Sequence, residues 1–83
     1  VLSPALYNRK AGLALFCPVT SQVKEYPFEV LLPLGLPLSG AVLSDQVRSL
    51  DWKERRAERI GRLPEAVLDQ ILARLEALLS APR

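Results

Sequence analysis

With 83 residues, the chain has room for one small domain, and a domain of that size buries only about 60% of the surface its unfolded chain exposes. Hydrophobic residues at 49% and charged residues at 24% exclude a disordered chain, while a formal net charge of +2 is too small to demand a nucleic-acid partner by itself. One cysteine and no histidine exclude an internal disulfide and argue against a structural zinc, so oligomerisation is the remaining support for a thin core and a homodimer is expected.

Val1-Leu2-Ser3-Pro4 reads as the end of a strand stopped by proline, with Ser3 placed to cap a short helical turn through Ala5-Leu6-Tyr7-Asn8. Arg9 to Gly12 is a polar break. Leu13 to Val19 is a continuous apolar run, which predicts a central strand covered on both faces, with Pro18 marking an edge or a bulge at its far end. Thr20 to Glu25 is a polar loop. Tyr26 to Leu32 resumes as a strand in which Phe28 and Val30 alternate with Glu29, the two-residue period of a half-buried strand. Pro33 to Gly40 is a connection rich in proline and glycine.

A further strand is expected from Ala41 through Val47, then a turn or helical piece over Ser49 to Lys53, and a last short strand over Ala57 to Arg62. The C-terminal segment is predicted to be a helix with Pro64 at its first position that stops near Ser80, before Pro82. Val67, Leu68, Ile71, Leu72, Leu75, Leu78 and Leu79 recur at helical spacing and read as one apolar stripe belonging to the core, with part of it at a dimer interface. Short strands followed by an amphipathic helix predict a mainly β architecture, a small curled sheet or barrel with a helix packed on it. Residues 1–83 read as a single domain.

No apolar run is long enough to span a bilayer, and no signal-peptide pattern is present. Phe16-Cys17-Pro18, a lone cysteine between apolar neighbours, fits a reducing, cytoplasmic setting. The chain contains no methionine and opens on an apolar residue, so a processed or partial polypeptide is expected, with a first strand preceding Val1.

Several residues carry chemistry without forming a catalytic set by themselves. Thr20 and Ser21 supply hydroxyls after a strand, where a plain turn is the commoner meaning. Gln22 offers an amide that reads base edges, Lys24 an ammonium for phosphate, and Tyr26 a ring that either stacks on an unpaired base or fills the core. Asp45 and Gln46 either contact a base or close a strand end. Lys53, Arg55, Arg56, Arg59 and Arg62 either line an RNA path or form a solvated face paired with Glu54 and Glu58.

Three segments in order resemble the MazF/PemK family of toxins: Val1 to Asn8, with its Ser-Pro turn; Cys17-Pro18-Val19-Thr20-Ser21-Gln22 through Val30; and Ser44-Asp45-Gln46-Val47 through Ala57. A leucine-rich helix follows, as in that family. The resemblance implies a PemK-like, SH3-like β-barrel with a terminal helix, working as a cytoplasmic bacterial homodimer. It implies a toxin of a type II toxin–antitoxin system that cuts single-stranded mRNA at short sequences without a metal or other cofactor, by attack of the ribose 2′-hydroxyl. It also implies inhibition by a MazE-like antitoxin. On this resemblance Thr20 is the catalytic threonine and Ser21 its neighbouring hydroxyl. Gln22, Lys24, Tyr26, Asp45, Gln46 and Arg56 are assigned to RNA. Leu43 stands where the PemK branch has an arginine, as in the MazF branch. The family's principal catalytic arginine falls before the position of Val1. Two other readings stay open: a non-catalytic toxin on the same fold, like the CcdB gyrase binders, and a truncated toxin that only captures antitoxin.

Overall fold

The computed structural model describes residues 1–58 and 61–82. Pro4, with no N–H to donate, stands as the N-cap of helix α1 (Ala5–Ala11), and Gly12 ends that helix in the left-handed conformation at φ 71°. The cap expected from Ser3 does not form. Ser3 Oγ instead donates to Asn8 Oδ1 at 2.5 Å and accepts the Leu15 N–H at 2.9 Å. With the Leu2 N–H to Leu15 carbonyl bond at 2.8 Å, this ties the N-terminal segment to the next strand.

The apolar run over 13–19 is not one central strand. It is split into β1 (Ala14–Phe16) and β2 (Val19–Thr20) at Cys17-Pro18. Pro18 has no N–H to continue a ladder, and the two halves take different partners. The strand at Tyr26–Leu32 shortens to β3 (Glu29–Leu31). The strand expected over 41–47 stops as β4 (Ala41–Leu43), because the chain turns where the Gln46 N–H meets the Leu43 carbonyl at 3.2 Å. It resumes as β5 (Arg48–Leu50), where a turn had been expected to begin. The turn comes next, at Trp52–Arg56, started by Asp51, whose Oδ1 accepts the N–H groups of Lys53 at 3.1 Å and Glu54 at 2.9 Å. Of the strand expected over 57–62, residues 57, 58, 61 and 62 are not in strand, and residues 59 and 60 lie outside the described residues.

All pairings are antiparallel. β1 pairs with β5, and β4 is the centre of a three-stranded sheet in the order β2-β4-β3. Among the described residues these two sheets do not close into a ring, so the mainly β architecture holds while the barrel is an open one. Val30 and Val42 oppose each other directly and therefore share a sheet face. Helix α2 (Glu65–Leu79), with Pro64 as its N-cap, lays Val67 and Ile71, one turn apart, on that face. Leu2, Cys17, Leu32 and Leu63 pack round this core. The leucine stripe of α2 is thus divided: Ile71 is 1% exposed, whereas Leu72 and Leu78 are 41% and Leu79 63% exposed.

Candidate functional site

The register of the three-stranded sheet decides what shares the face turned away from α2. Thr20 opposes Ala41, Leu31 opposes Ala41 from the other side, and Glu29 opposes Leu43. Directly opposed residues project to the same side, so Thr20 and Glu29 flank a floor of Ala41 and Leu43. β2 and β3 both run antiparallel to β4, so the segment 21–28 is a crossover from beside Ala41 to beside Leu43. It runs across this face, because the Glu29 carboxylate reaches its backbone.

Thr20 is half-buried at the end of β2. Its Oγ1 accepts the Gln22 N–H at 3.1 Å, a local turn that fixes the side chain at the mouth of the crossover. Its hydroxyl hydrogen has no acceptor among the described residues. Gly40 holds the backbone here: its φ is 117°, and a Cβ at that position would lie 2.0 Å from the Thr20 carbonyl oxygen. Ser21, Gln22 and Lys24 are exposed. Tyr26 is 60% exposed, so it is a surface ring and not a core residue.

Asp45 and Gln46 are exposed in the turn after β4. That turn is anchored by Ser44, fully buried, whose N–H donates at 3.0 Å and whose hydroxyl also donates to the Phe28 carbonyl. This places Asp45 at the Glu29 end of β4, while Thr20 is at the Ala41 end. Asp45 lies four positions beyond Ala41, at most about 14 Å of extended chain. Arg56 is exposed, with φ 51°. It is the last residue of the turn in which half-buried Trp52 donates Nε1–H to the Asn8 carbonyl at 3.0 Å, at the end of the β1–β5 pair where Leu50 meets Ala14. Lys53 Nζ lies 5.4 Å from the Trp52 ring centre. The structure therefore brings Thr20, Ser21, Gln22, Lys24 and Tyr26 onto one crossover, sets Asp45 and Gln46 at its far end, and places Arg56 in the turn after β5.

Two contributors escaped the reading of the sequence. Gly40 is one; the only signal was a glycine closing the Pro33 to Gly40 connection. Glu29 is the other. Alternation marked it as an outward polar position, yet it is 8% exposed. Cys17, half-buried beside the sheet break, has its thiol pushed above the ordinary value by burial, with the Asp45 carboxylate adding in the same direction. Among the described residues no three His, Cys, Asp or Glu side chains form a group able to hold a metal ion, and no helix is long and apolar enough to cross a membrane.

The arrangement can offer the Thr20 hydroxyl to an anion and present an amide, an ammonium and a ring to an extended polymer. Comparison with known proteins places the chain in a family. Residues 1–79 match the model of the PemK-like, MazF-like toxin of type II toxin–antitoxin system family. The endoribonuclease toxin MazF of Escherichia coli (strain K12) is 43% identical over 79 residues, which span 95% of this chain and 70% of that protein. The crystal structure of MazF (Form-I) from Deinococcus radiodurans superposes with a TM-score of 0.91 at 52% identity, covering 95% of this chain and 72% of that one. The MazE-MazF crystal structure (Form-I) from the same organism gives a TM-score of 0.92 at 52% identity, covering 95% and 78%.

Proposed function

Because the chain belongs to the family of PemK-like, MazF-like toxins of type II toxin–antitoxin systems, we propose that it is an endoribonuclease toxin that cuts single-stranded RNA without a metal and is held in check by a MazE-like antitoxin. Residues 1–83 are read as one domain of that enzyme, acting in the bacterial cytoplasm as a homodimer. The observation that carries the reading is Thr20 at the mouth of the crossover, its hydroxyl hydrogen turned to no described protein group, within a match that runs through residues 1–79.

The chemistry follows from what such a site must do. The ribose 2′-oxygen bonds to the adjacent phosphorus while the bond from phosphorus to the 5′-oxygen breaks, giving a cyclic phosphate and a free 5′-hydroxyl. One proton leaves the 2′-hydroxyl and one reaches the departing oxygen. Negative charge grows on the non-bridging phosphate oxygens, and a fixed hydroxyl stabilises it without reorganising. Thr20 fills that role, with Ser21 beside it. A hydroxyl is a poor acid or base, so Thr20 positions and stabilises the phosphate, and proton transfer belongs to another group. Gln22 and Lys24 meet base edges and phosphate, Tyr26 stacks on a base, and Asp45 and Gln46 contact the strand farther along. Arg56 contributes positive charge.

The direct test is incubation of the purified protein with single-stranded RNA in EDTA. Cleavage ending in cyclic phosphates, lost in Thr20→Ala and suppressed by the cognate antitoxin, is expected. Failure to cut any single-stranded RNA would sink the reading.

A further inference from the structure

We infer that Glu29 is a positioning residue for the RNA-contacting loop: its buried carboxylate clamps the backbone of Lys24 and Glu25 and so fixes where Lys24 and Tyr26 meet the strand. The inference rests on the RNA-cleaving reading above and adds to it a residue that touches no substrate.

The geometry is specific. Glu29 Oε2 accepts the N–H of Lys24 at 3.1 Å and of Glu25 at 3.2 Å, and Oε1 lies 3.3 Å from the same Lys24 nitrogen. Two successive N–H groups converge on one carboxylate because Glu25 takes the left-handed conformation at φ 59°. That shape is an anion-binding concavity of main-chain donors, here filled by the protein's own side chain. A carboxylate buried without partners would be strongly disfavoured, so the charge-assisted bonds to the loop are what keep Glu29 inside, and Glu29 in turn keeps the loop down.

A second pin lies on the far side of Tyr26. Arg74 of α2 donates Nη1–H to the Pro27 carbonyl at 2.5 Å, and the Glu29 N–H donates to the Tyr26 carbonyl at 3.0 Å. Arg74 Nε is buried with no hydrogen-bond partner among the described residues, and the bond this guanidinium makes among them is the one to the Pro27 carbonyl. Tyr26 therefore projects from between two fixed points. Val23, Tyr26, Glu29, Gln70 and Arg74 line the groove that results. A ring held in one orientation loses little entropy on stacking, whereas a ring on a free loop must be ordered by the substrate itself.

The experiment is steady-state cleavage of a single-stranded RNA by wild type, Glu29→Ala, Glu29→Gln and Arg74→Ala, with amide exchange at Lys24 and Glu25 followed by NMR. Glu29→Ala is expected to raise KM about tenfold, the scale carried by one stacked base, with kcat within about twofold and both amides unprotected. Glu29→Gln keeps one oxygen at the Oε2 position and should hold KM near wild type. Arg74→Ala removes the other pin and should also raise KM; it carries the test if Glu29→Ala does not fold. Wild type that cleaves no RNA would overturn the functional reading, and this role with it. Active wild type together with an unchanged KM in Glu29→Ala, or in Arg74→Ala where the first does not fold, would overturn this inference alone.

Discussion

Gly40→Ala is the substitution with the clearest consequence for both fold and site. A Cβ at residue 40 would meet the Thr20 carbonyl oxygen at 2.0 Å, its carbon at 2.9 Å and Ser21 Cα at 3.1 Å, all backbone atoms. Bringing the first contact to the shortest distance that Cβ atoms adopt needs a shift of about 1 Å. Gly40 cannot supply it freely, since its carbonyl accepts the Leu32 N–H at 2.9 Å and the next residue, Ala41, is fully buried. Holding alanine at φ 117° costs about 1–3 kcal/mol, and the overpacking adds about 1–3 kcal/mol. A domain of this length has on the order of 4–12 kcal/mol in total. Gly12→Ala is the control: it shares a positive φ of 71° but a Cβ there meets nothing within 4 Å, so only the left-handed penalty of about 1–2 kcal/mol applies. Urea unfolding should show an unchanged slope and a midpoint loss about twice as large or more for Gly40→Ala. Where Gly40→Ala still folds, displacement of Thr20 by about 1 Å should lower cleavage about 100-fold, while Gly12→Ala stays near wild type. Equal midpoints for the two variants would refute the steric argument, and full cleavage by Gly40→Ala would refute the placement of the site at Thr20.

Other substitutions separate chemistry from packing. Thr20→Ser keeps the oxygen that receives the Gln22 N–H and should retain most cleavage, whereas Thr20→Val should lose about 100-fold or more with a stability change of about 1 kcal/mol; quantified RNA fragments and urea midpoints read the two effects. Ile71→Ala should cost about 2–5 kcal/mol, because Ile71 is 1% exposed against Val30 and Val42. Leu79→Ala, at a position 63% exposed, should stay within about 0.5 kcal/mol in the monomer, and equal losses would contradict the division of the helix. Burial raises the Cys17 thiol above the ordinary 9.0, so the folded state gives up that proton later than the unfolded chain does. Its contribution to stability is therefore complete below pH 9.0 and is lost as the pH rises through the folded value. Urea midpoints followed into alkali should fall more steeply for wild type than for Cys17→Ala.

What the sequence reveals depends on how local the cause is. Helix α2 is legible because Pro64, the apolar spacing and Pro82 all act within a few residues of each other. Pro18 gives only part of the signal: its missing N–H marks an edge or a bulge, while the apolar run around it still reads as one strand. Ser3 shows where local reasoning stops. Serine before proline is a good capping residue, but the Leu15 N–H, twelve residues on, competes for its oxygen and wins. The split of 13–19 between two sheets depends on which strands β1 and β2 meet, and no spacing within that run encodes β5 or β4. Thr20 was found through its resemblance to a family, since Thr-Ser after a strand means a turn far more often than a site. Glu29 could not be found by period alone. Alternation assigns it to a face, but only the path of the crossover decides whether that face meets water.

That crossover explains how so thin a core supports a site. The fully or nearly buried set is mostly small residues and valines, with Ile71 the largest, so bulk cannot immobilise the surface loops. Polar side chains do it instead, by bonding main chain: Thr20 to Gln22, Glu29 to Lys24 and Glu25, Ser44 to Phe28, Arg74 to Pro27. Each such bond removes loop freedom at the position where it acts, and each leaves the neighbouring functional side chain pointing outward. Gln22, Lys24 and Tyr26 are exposed because other residues hold their backbone. A substrate strand arriving there finds donors and a ring already placed, which is why disturbing Glu29 or Gly40, neither of which touches RNA, should weaken the enzyme as surely as disturbing the residues that do.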